Sequence, residues 1–254
     1  MALCSKCKQP PAAGLKLRKC GACLASEYCT NVCQREDWPD HKLVCKSMGA
    51  AREKTILPLI NAAASGNEAA VKRLLKAGAR GDLASQDGRT VIFMAAQEGH
   101  AKVVTDLLKA GAKADKPVDD GLTPMHIAAS RGHKAVLQAL LRAGASIDVL
   151  SNGPEKQTPL LGASLGSHKA SVMLLIEAGA NVNKAGERGL TPLTAAAQSG
   201  NEAVVAALLA AGADVTTSTD EGSTALSVWK SPARFPGASS NSETLTQRTT
   251  LRDV

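Results

Sequence analysis

The residues best suited to chemistry lie at the beginning of the chain, where all seven cysteines precede residue 46. Together with one histidine they follow the spacing C-x2-C-x12-C-x2-C-x5-C-x3-C-x7-H-x3-C. Thiolate and imidazole groups are preferred zinc ligands, and eight of them complete two tetrahedral sites. The pattern therefore predicts two structural zinc ions with no open position for a reacting water. The predicted ligands are Cys4, Cys7, Cys20, Cys23, Cys29, Cys33, His41 and Cys45.

Disulfide bonds or a catalytic thiol are the alternatives for these cysteines. The first residues, MALCSKCKQP, lack the apolar core of a signal peptide, so we expect an intracellular protein, in the cytoplasm and/or the nucleus. Thiols there stay reduced, which favours metal binding. About 45 residues with few large apolar side chains cannot bury enough surface to fold unaided. Zinc would supply the missing free energy, on the order of 10–16 kcal/mol per site.

Local spacing indicates how the ligands are positioned. The x2 pairs each close a tight knuckle, and the x3 pairs Cys29/Cys33 and His41/Cys45 would share one face of a helical turn. Pro39 suits the first turn of a short helix that carries His41 and Cys45. Spacing alone permits either a sequential or an interleaved assignment of the ligands to the two ions.

The segments CSKC, CGAC, EYCTNVCQREDW and HKLVC resemble the MYND-type zinc finger across residues 4–45. The resemblance implies interleaved, cross-braced sites. In that arrangement Cys4, Cys7, Cys29 and Cys33 bind one zinc ion, and Cys20, Cys23, His41 and Cys45 bind the other.

MYND fingers bind short proline-containing motifs beside a glutamine and a tryptophan, which correspond here to Gln34 and Trp38. The resemblance therefore implies a peptide groove at these two residues, although Trp38 could equally be a packing residue beneath the second zinc. Gly21 stands where the best-known peptide binders have a serine, so no particular ligand motif can be transferred.

From about residue 55 the sequence repeats. The glycines of five AGA tripeptides, beginning with Gly78, are separated by 33, 33, 35 and 33 residues. Each unit predicts a turn, two short antiparallel helices and a projecting loop, because apolar residues such as Val136, Leu137, Leu140 and Leu141 fall at helical spacing. One such unit cannot bury its own apolar face, but stacked units can.

These units resemble the ankyrin repeat, with GLTPMHIAA and LLRAGASID closest to the family's pattern. The fold class predicted for the whole chain is mostly α: a small two-zinc finger followed by an α-solenoid of about five helix-turn-helix repeats. The units begin near residues 55, 88, 121, 156 and 189, and a partial sixth begins at Gly222. We expect the first and last units to cap the array. His126 occupies the family's structural histidine position, and His100, His133 and His168 are predicted to be turn or surface residues.

The predicted domains are a finger at 1–47, a linker at 48–54, the repeat array at 55–230 and a disordered tail at 231–254. The loop before the fourth unit, SIDVLSNGPEKQ, carries two extra residues and is the first candidate for a specialised contact. Further candidates for partner contacts lie in the loops of all repeats. They are Asp82, Arg89, Asp115, Asp119, Asp148, Lys156, Asn183, Arg188 and Asp214.

Charge and motifs bear on the function class. The formal charge is +7, but two zinc ions add +4 and seven thiolates remove 7, which leaves about +4. Residues 51–254 lack interleaved basic and aromatic residues for nucleic-acid stacking. No phosphate-binding glycine loop, G-x-S-x-G motif or acid–base cluster is present. The sequence also contains no run of about 18 apolar residues, so no membrane span is predicted.

We therefore predict a monomeric, non-catalytic adaptor, with proline-containing peptides at the finger and a second protein at the repeats. The alternatives are a zinc-dependent, nucleic-acid-associated transcriptional cofactor and a methyltransferase-related fragment.

Overall fold

The computed structural model describes residues 57–85, 88–153 and 156–230, together with two short strands near the beginning of the chain. The chain divides into two compact units, Met1–Pro58 and Leu59–Val254. The predicted linker at 48–54 and tail at 231–254 lie outside the described residues. The domain limits given above remain predictions.

In the first unit, strands β1 (Arg18–Lys19) and β2 (Glu27–Tyr28) pair antiparallel. The register places Arg18 opposite Tyr28 and Lys19 opposite Glu27. The residues that connect the two strands in sequence include Cys20 and Cys23, and Cys29 directly follows the second strand. In sequence, therefore, one predicted zinc knuckle and the first ligand of an x3 pair are adjacent to the paired strands.

The second unit consists of paired helices that recur at the period of the sequence repeats. The first helices of the pairs are α1 (57–64), α3 (Val91–Gln97), α5 (Pro124–Ser130), α7 (Pro159–Leu165) and α9 (Pro192–Ser199). The second helices are α2 (Glu68–Lys76), α4 (Ala101–Lys109), α6 (Lys134–Arg142), α8 (Lys169–Glu177) and α10 (Glu202–Ala210). A short 3-10 segment lies at Glu187–Gly189, and α11 (Ala225–Trp229) follows the last pair. The predicted fold class, a mostly helical solenoid of about five repeats, is confirmed.

Threonine and proline define where the first helices begin. The Thr90 side chain accepts a hydrogen bond from the backbone N–H of Phe93 (3.2 Å), and Thr158 does the same for Leu161 (3.1 Å). Such bonds satisfy amide groups that have no partner within the helix. Proline occupies the first helical position of α5, α7 and α9, where its missing N–H costs nothing.

The core is continuous from repeat to repeat. First helices pack on first helices from α3 to α11, and second helices pack on second helices from α2 to α10. Ala128 and Ala129 in α5 are fully buried, so neighbouring helices can approach closely. Val136, Leu137 and Leu140 are the fully buried residues of α6, which packs on α4, α5 and α8. The apolar area of each repeat is therefore covered by its neighbours.

Polar side chains also join one repeat to the next. In three repeats the N-cap position of the second helix is occupied by a half-buried histidine, whose side chain bonds to the neighbouring repeat and not to its own helix. Its Nε2–H donates to a carbonyl at the end of the preceding repeat's first helix, since a carbonyl can only accept. The pairs are His100 with Ala64 (2.9 Å), His133 with Gln97 (3.0 Å) and His168 with Ser130 (3.0 Å). The sequence predicts turn or surface positions for these histidines but does not predict their hydrogen bonds between repeats.

Each of these imidazole rings lies against a glycine in the preceding inter-helix turn. A Cβ atom at Gly132 would lie 2.5 Å from Nδ1 of His168, which is closer than atoms can approach. Gly132 also has a φ of +75°, a conformation that L-amino acids adopt at a cost. The same contact recurs at Gly66 with His100 and at Gly99 with His133.

The inter-helix turn of the fourth repeat has no glycine at this position, and the residue that faces it from the fifth repeat is not a histidine. Ser167 replaces glycine at a φ of +60°, and the residue that faces it is Asn201 instead of histidine. The shorter Asn201 side chain donates to the carbonyl of Ser167 (3.2 Å). The carbonyl of Leu165, equivalent to those that accept from histidine, accepts from the Ser199 hydroxyl (2.9 Å). A side chain is therefore tolerated at this turn because no imidazole lies over it.

Within the described ranges, every helix is too short or too polar to cross a lipid bilayer.

We predict that Gly132→Ser lowers the free energy of unfolding more than Gly144→Ser does. Both glycines have nearly the same φ (+75° and +77°), but no atom lies within 4 Å of a Cβ built at Gly144. Each variant should lose about 1–2 kcal/mol from backbone strain, and Gly132→Ser a further 1–3 kcal/mol, roughly, from overpacking against His168. Urea unfolding measures both values.

Adding His168→Asn to Gly132→Ser should recover part of the extra loss, because it recreates the combination found at Ser167 and Asn201. Equal losses in Gly132→Ser and Gly144→Ser, or no recovery in the double variant, would show that the imidazole contact does not constrain the turn.

Candidate functional site

The predicted zinc ligands lie outside the described residues, and so do Gln34 and Trp38. Their assignment therefore stays a prediction from the sequence. The donor set itself fits zinc, since seven thiols and one imidazole provide two tetrahedral sets of soft or borderline ligands. In the part of the chain that the structure describes, no group of three or more His, Cys, Asp or Glu side chains could hold a metal ion.

The loops of the repeat array form the second candidate site, and their polar side chains are joined from repeat to repeat. The Asp115 carboxylate accepts from the backbone N–H of Ser146 (3.0 Å) and from its hydroxyl (2.8 Å). Asp148 and Asn183 occupy the same position in the next two loops. Asp148 accepts from the N–H of Asn181 (3.1 Å), and Asn183 Oδ1 accepts from the N–H of Asp214 (2.8 Å). These side chains fix the spacing of adjacent loops.

Two lysines reinforce this row. Lys116 donates to the carbonyl of Asp82 (3.0 Å), and Lys184 donates to the carbonyl of Asp148 (2.7 Å). Each bond links a loop to the loop of the preceding repeat. Asp82 itself binds Arg80 of its own loop at 2.7 Å, and this hydrogen bond lowers the pKa of the Asp82 carboxyl group.

The remaining predicted loop residues are more exposed. Asp214 accepts from the hydroxyls of Thr216 (2.7 Å) and Thr217 (3.0 Å), and the Thr216 hydrogen bonds in particular lower its carboxyl pKa. Arg188 has a φ of +55° and lies 3.9 Å from Glu221, with both side chains about three-quarters exposed.

Arg89, Asp119 and Lys156 are also exposed. Asp119 lies against the preceding loop, because a Cβ at Gly88 would come within 2.7 Å of its Oδ1. The Lys156 carbonyl accepts from the N–H of Glu187 (3.0 Å), which joins the fourth and fifth loops. Whether any of the nine predicted residues contacts a partner remains a prediction.

His126 forms hydrogen bonds to both sides of the loop with two extra residues. This histidine is only 3 % exposed, and its Nε2 lies 2.9 Å from the carbonyl oxygens of both Val149 and Gln157, on the two sides of the loop. Its Nδ1 accepts from the backbone N–H of Thr123 (3.1 Å). The proton must therefore be on Nε2. The structural role that the family resemblance implies for His126 agrees with these hydrogen bonds, but its contacts with both sides of the long loop could not be read from the sequence.

Burial lowers the pKa of His126, and the two carbonyl acceptors oppose that shift only in part. A second proton on Nδ1 would face the Thr123 N–H donor, so the site is built for neutral imidazole. Within this loop, Leu150 exposes 38 % of its surface. The described residues on the two sides of the long loop are thus held together by His126, and Leu150 presents an apolar side chain among them.

The stacked helix pairs, with threonine and proline at their starts, define a helical repeat protein. The family described as Ankyrin repeats (3 copies) matches residues 59–151 and 146–219, which together exceed half of the chain. The chain belongs to the ankyrin-repeat family. Residues 4–45 match the MYND finger, so a MYND finger precedes the repeats.

The following curated relatives match this chain in the finger segment only. The SET domain and MYND-type zinc finger protein 6 of Schizosaccharomyces pombe is 40% identical over 57 residues, which are 22% of this chain and 11% of that protein. N-lysine methyltransferase SMYD2 is 59% identical over 32 residues in Bos taurus and 56% over 32 residues in Homo sapiens, in each case 13% of this chain and 7% of the relative.

The chain thus spans about a tenth or less of the length of these relatives. The shared segment is the non-catalytic finger, and no catalytic domain is shown for this chain. A MYND finger implies zinc binding, and both modules are protein-interaction modules.

We predict that acid lowers the stability of the array partly through His126. Because its folded pKa is lowered from 6.5, both folded and unfolded states are neutral well above that value. As the pH falls below 6.5 the unfolded state takes up the proton first, so this contribution is lost progressively toward the lowered pKa. The difference in unfolding free energy between wild type and His126→Gln should therefore shrink from pH 7.5 to 5, as measured by urea unfolding.

His126 is the one titratable group by which the wild type and His126→Gln differ. The contributions of the other titratable groups therefore cancel when the two unfolding free energies are subtracted. A difference that stays constant or grows on acidification would contradict the neutral, Nε2-protonated assignment.

Proposed function

We propose that this chain is a non-catalytic adaptor that binds one protein through its zinc finger and another through its repeat array. The observation that carries the proposal is the row of loops joined by hydrogen bonds from Asp115, Asp148 and Asn183 to the following repeat. Loops fixed in this way lose little conformational freedom when a partner binds, which favours affinity. A rigid, extended surface of this kind suits a protein partner.

The finger supplies the other surface. In this proposal Cys4, Cys7, Cys29 and Cys33 hold one zinc ion, and Cys20, Cys23, His41 and Cys45 hold the second. When bound, zinc supplies folding free energy to a segment with little core of its own. The pairing of β1 with β2 supports a cross-braced finger, because the strands adjoin ligands that the proposal assigns to different ions.

Gln34 and Trp38 are proposed to line a groove for a proline-containing peptide. Proline-rich segments are extended before they bind, so little conformational entropy is lost, and aromatic side chains offer flat surfaces to the proline rings. The support is the MYND match over residues 4–45 together with the positions of these two side chains in the sequence.

Two modest surfaces on one chain raise the effective concentration of the second partner once the first is bound. An adaptor of this type needs neither site to be tight by itself. It requires both to be occupied at the same time, which affinity capture with two tagged partners can test.

We predict that Trp38→Ala abolishes capture of proline-containing peptides from a peptide library while two zinc ions stay bound. The groove would lose its aromatic wall, but no predicted metal ligand changes. Peptide capture and elemental analysis of the purified chain measure the two outcomes. The matched control is Trp229→Ala, which removes the second tryptophan of the chain, outside the finger. This variant should capture peptides normally. Loss of zinc from Trp38→Ala would instead identify Trp38 as a structural residue.

We further predict that Cys29→Ser unfolds the finger but leaves most of the helical circular-dichroism signal, because the repeats bury their own core. Zinc content should fall below two equivalents. Chelation of zinc from the wild type should reproduce the same spectrum. Cooperative loss of the whole helical signal would show that the finger and the repeats do not fold as separate units.

A further inference from the structure

A row of basic side chains follows the ends of the second helices in the first three repeats. Lys76, Lys109 and Arg142 are the last residues of α2, α4 and α6. Arg73 lies one turn earlier in α2, and Lys113 lies in the loop after α4. All five residues are exposed, and we call them the basic ridge.

Two ion pairs establish how α2 and α4 face each other. Glu68 lies 3.6 Å from Lys102, and Lys72 lies 3.5 Å from Asp106. In both pairs the residues are 34 positions apart, so positions with this separation are neighbours across the two helices. One turn further along α2, this register places position 76 beside position 110.

That third position breaks the alternation of charge. Lys76 lies beside Ala110. Lys109 comes directly before Ala110 in the sequence and Lys113 three residues after it, so the side chains near Lys76 are also basic. Among the residues that the structure describes, no member of the basic ridge forms an ion pair. Like charges close together repel each other and attract counter-charge from outside.

Basic residues at helix ends also interact favourably with the helix dipole, but this does not explain the ridge. The corresponding last residues of α8 and α10 are Glu177 and Ala210, and these helices form without a cation there. Lys113 lies outside any helix. The ridge is therefore a property of the first three repeats and not a general requirement of the fold.

Resting on the proposed adaptor function, we propose that the basic ridge is where the repeat array binds its partner, and that the partner presents a short acidic segment. The ridge spans three neighbouring helices whose axes are about 8–10 Å apart. About six residues of extended chain cover that distance. A segment with several carboxylates in this length would neutralise the ridge.

The far end of the array favours a short peptide over a long polyanion. After Arg142 the equivalent position is Glu177, and exposed Asp214 in the last repeat occupies the position equivalent to Lys113. A nucleic acid that continued along the array would meet these carboxylates and be repelled. The basic ridge itself ends with the third repeat, which is a length that suits a peptide segment.

The test uses the full chain and a fluorescein-labelled octaglutamate peptide, with binding followed by fluorescence anisotropy. We expect binding at about 50 mM salt that weakens strongly at about 300 mM, because exposed charges are screened. The ridge variant Lys76→Gln/Lys109→Gln/Arg142→Gln should bind at least about tenfold more weakly, as expected when three exposed charge contacts are lost.

A matched control removes three other exposed cations with the same change in net charge: Arg131→Gln, Lys134→Gln and Lys169→Gln. Its affinity should change by no more than about twofold, since these residues lie away from the ridge. The proposal is overturned if octaglutamate does not bind, if both triple variants lose affinity equally, or if duplex DNA or phosphatidylserine vesicles bind in preference through the same residues.

The Trp38→Ala variant separates this proposal from the adaptor function. It should bind octaglutamate like the wild type, whereas the ridge variant should still capture proline-containing peptides. If the wild type captures proline-containing peptides but does not bind octaglutamate, the ridge proposal is refuted and the proposed role of the finger stands. If the wild type binds octaglutamate but captures no proline-containing peptide, the proposed role of the finger is refuted and the ridge proposal stands.

Discussion

No pair of helices in this array can cover its own apolar face, so every repeat depends on contact with its neighbours. That dependence explains why residues at the boundaries are so constrained. Ala128 and Ala129 are small because another helix lies directly against them, and His133 and His168 donate across the boundary to carbonyls of the preceding repeat. The stability of such a chain is close to a sum over adjacent units.

The helical architecture could be predicted from the sequence because its signals are local. Threonine followed by proline indicates where α5 begins, and the spacing of Val136, Leu137 and Leu140 indicates which side of α6 is buried. These features act within a few residues of each other, and the period of about 33 residues repeats them.

Interactions between repeats were harder to predict. The acceptor of His168 is the carbonyl of Ser130, 38 residues earlier, and only the stacked structure shows that the two meet. The sequence cannot tell whether Asp115 and Asp148 are free to contact a partner or already link two loops. Residue type alone does not show whether a carboxylate has a hydrogen-bond donor within the protein. For the finger, spacing allows two ligand pairings, and the choice between them came from family resemblance.

The array therefore combines two kinds of surface. Its loops are spaced by hydrogen bonds that use the side chains of Asp115, Asp148 and Asn183 internally. The cations that end α2, α4 and α6, by contrast, form no ion pair with any residue that the structure describes. Side chains that already have partners keep a surface in shape, and unpaired ones are available for recognition. A candidate contact residue is best judged by whether its hydrogen-bonding capacity is already used.

The contact between an imidazole and the glycine before it has a consequence for how such a chain can change over generations. A gain, loss or exchange of whole units is compatible with the fold only when the new neighbours match at this one position. A unit that begins its second helix with histidine needs glycine in the turn ahead of it, whereas the unit containing Ser167 accepts a smaller successor such as the one with Asn201. The order of the units is therefore partly fixed by a steric rule, and duplication of a single unit would be accommodated at some junctions and rejected at others.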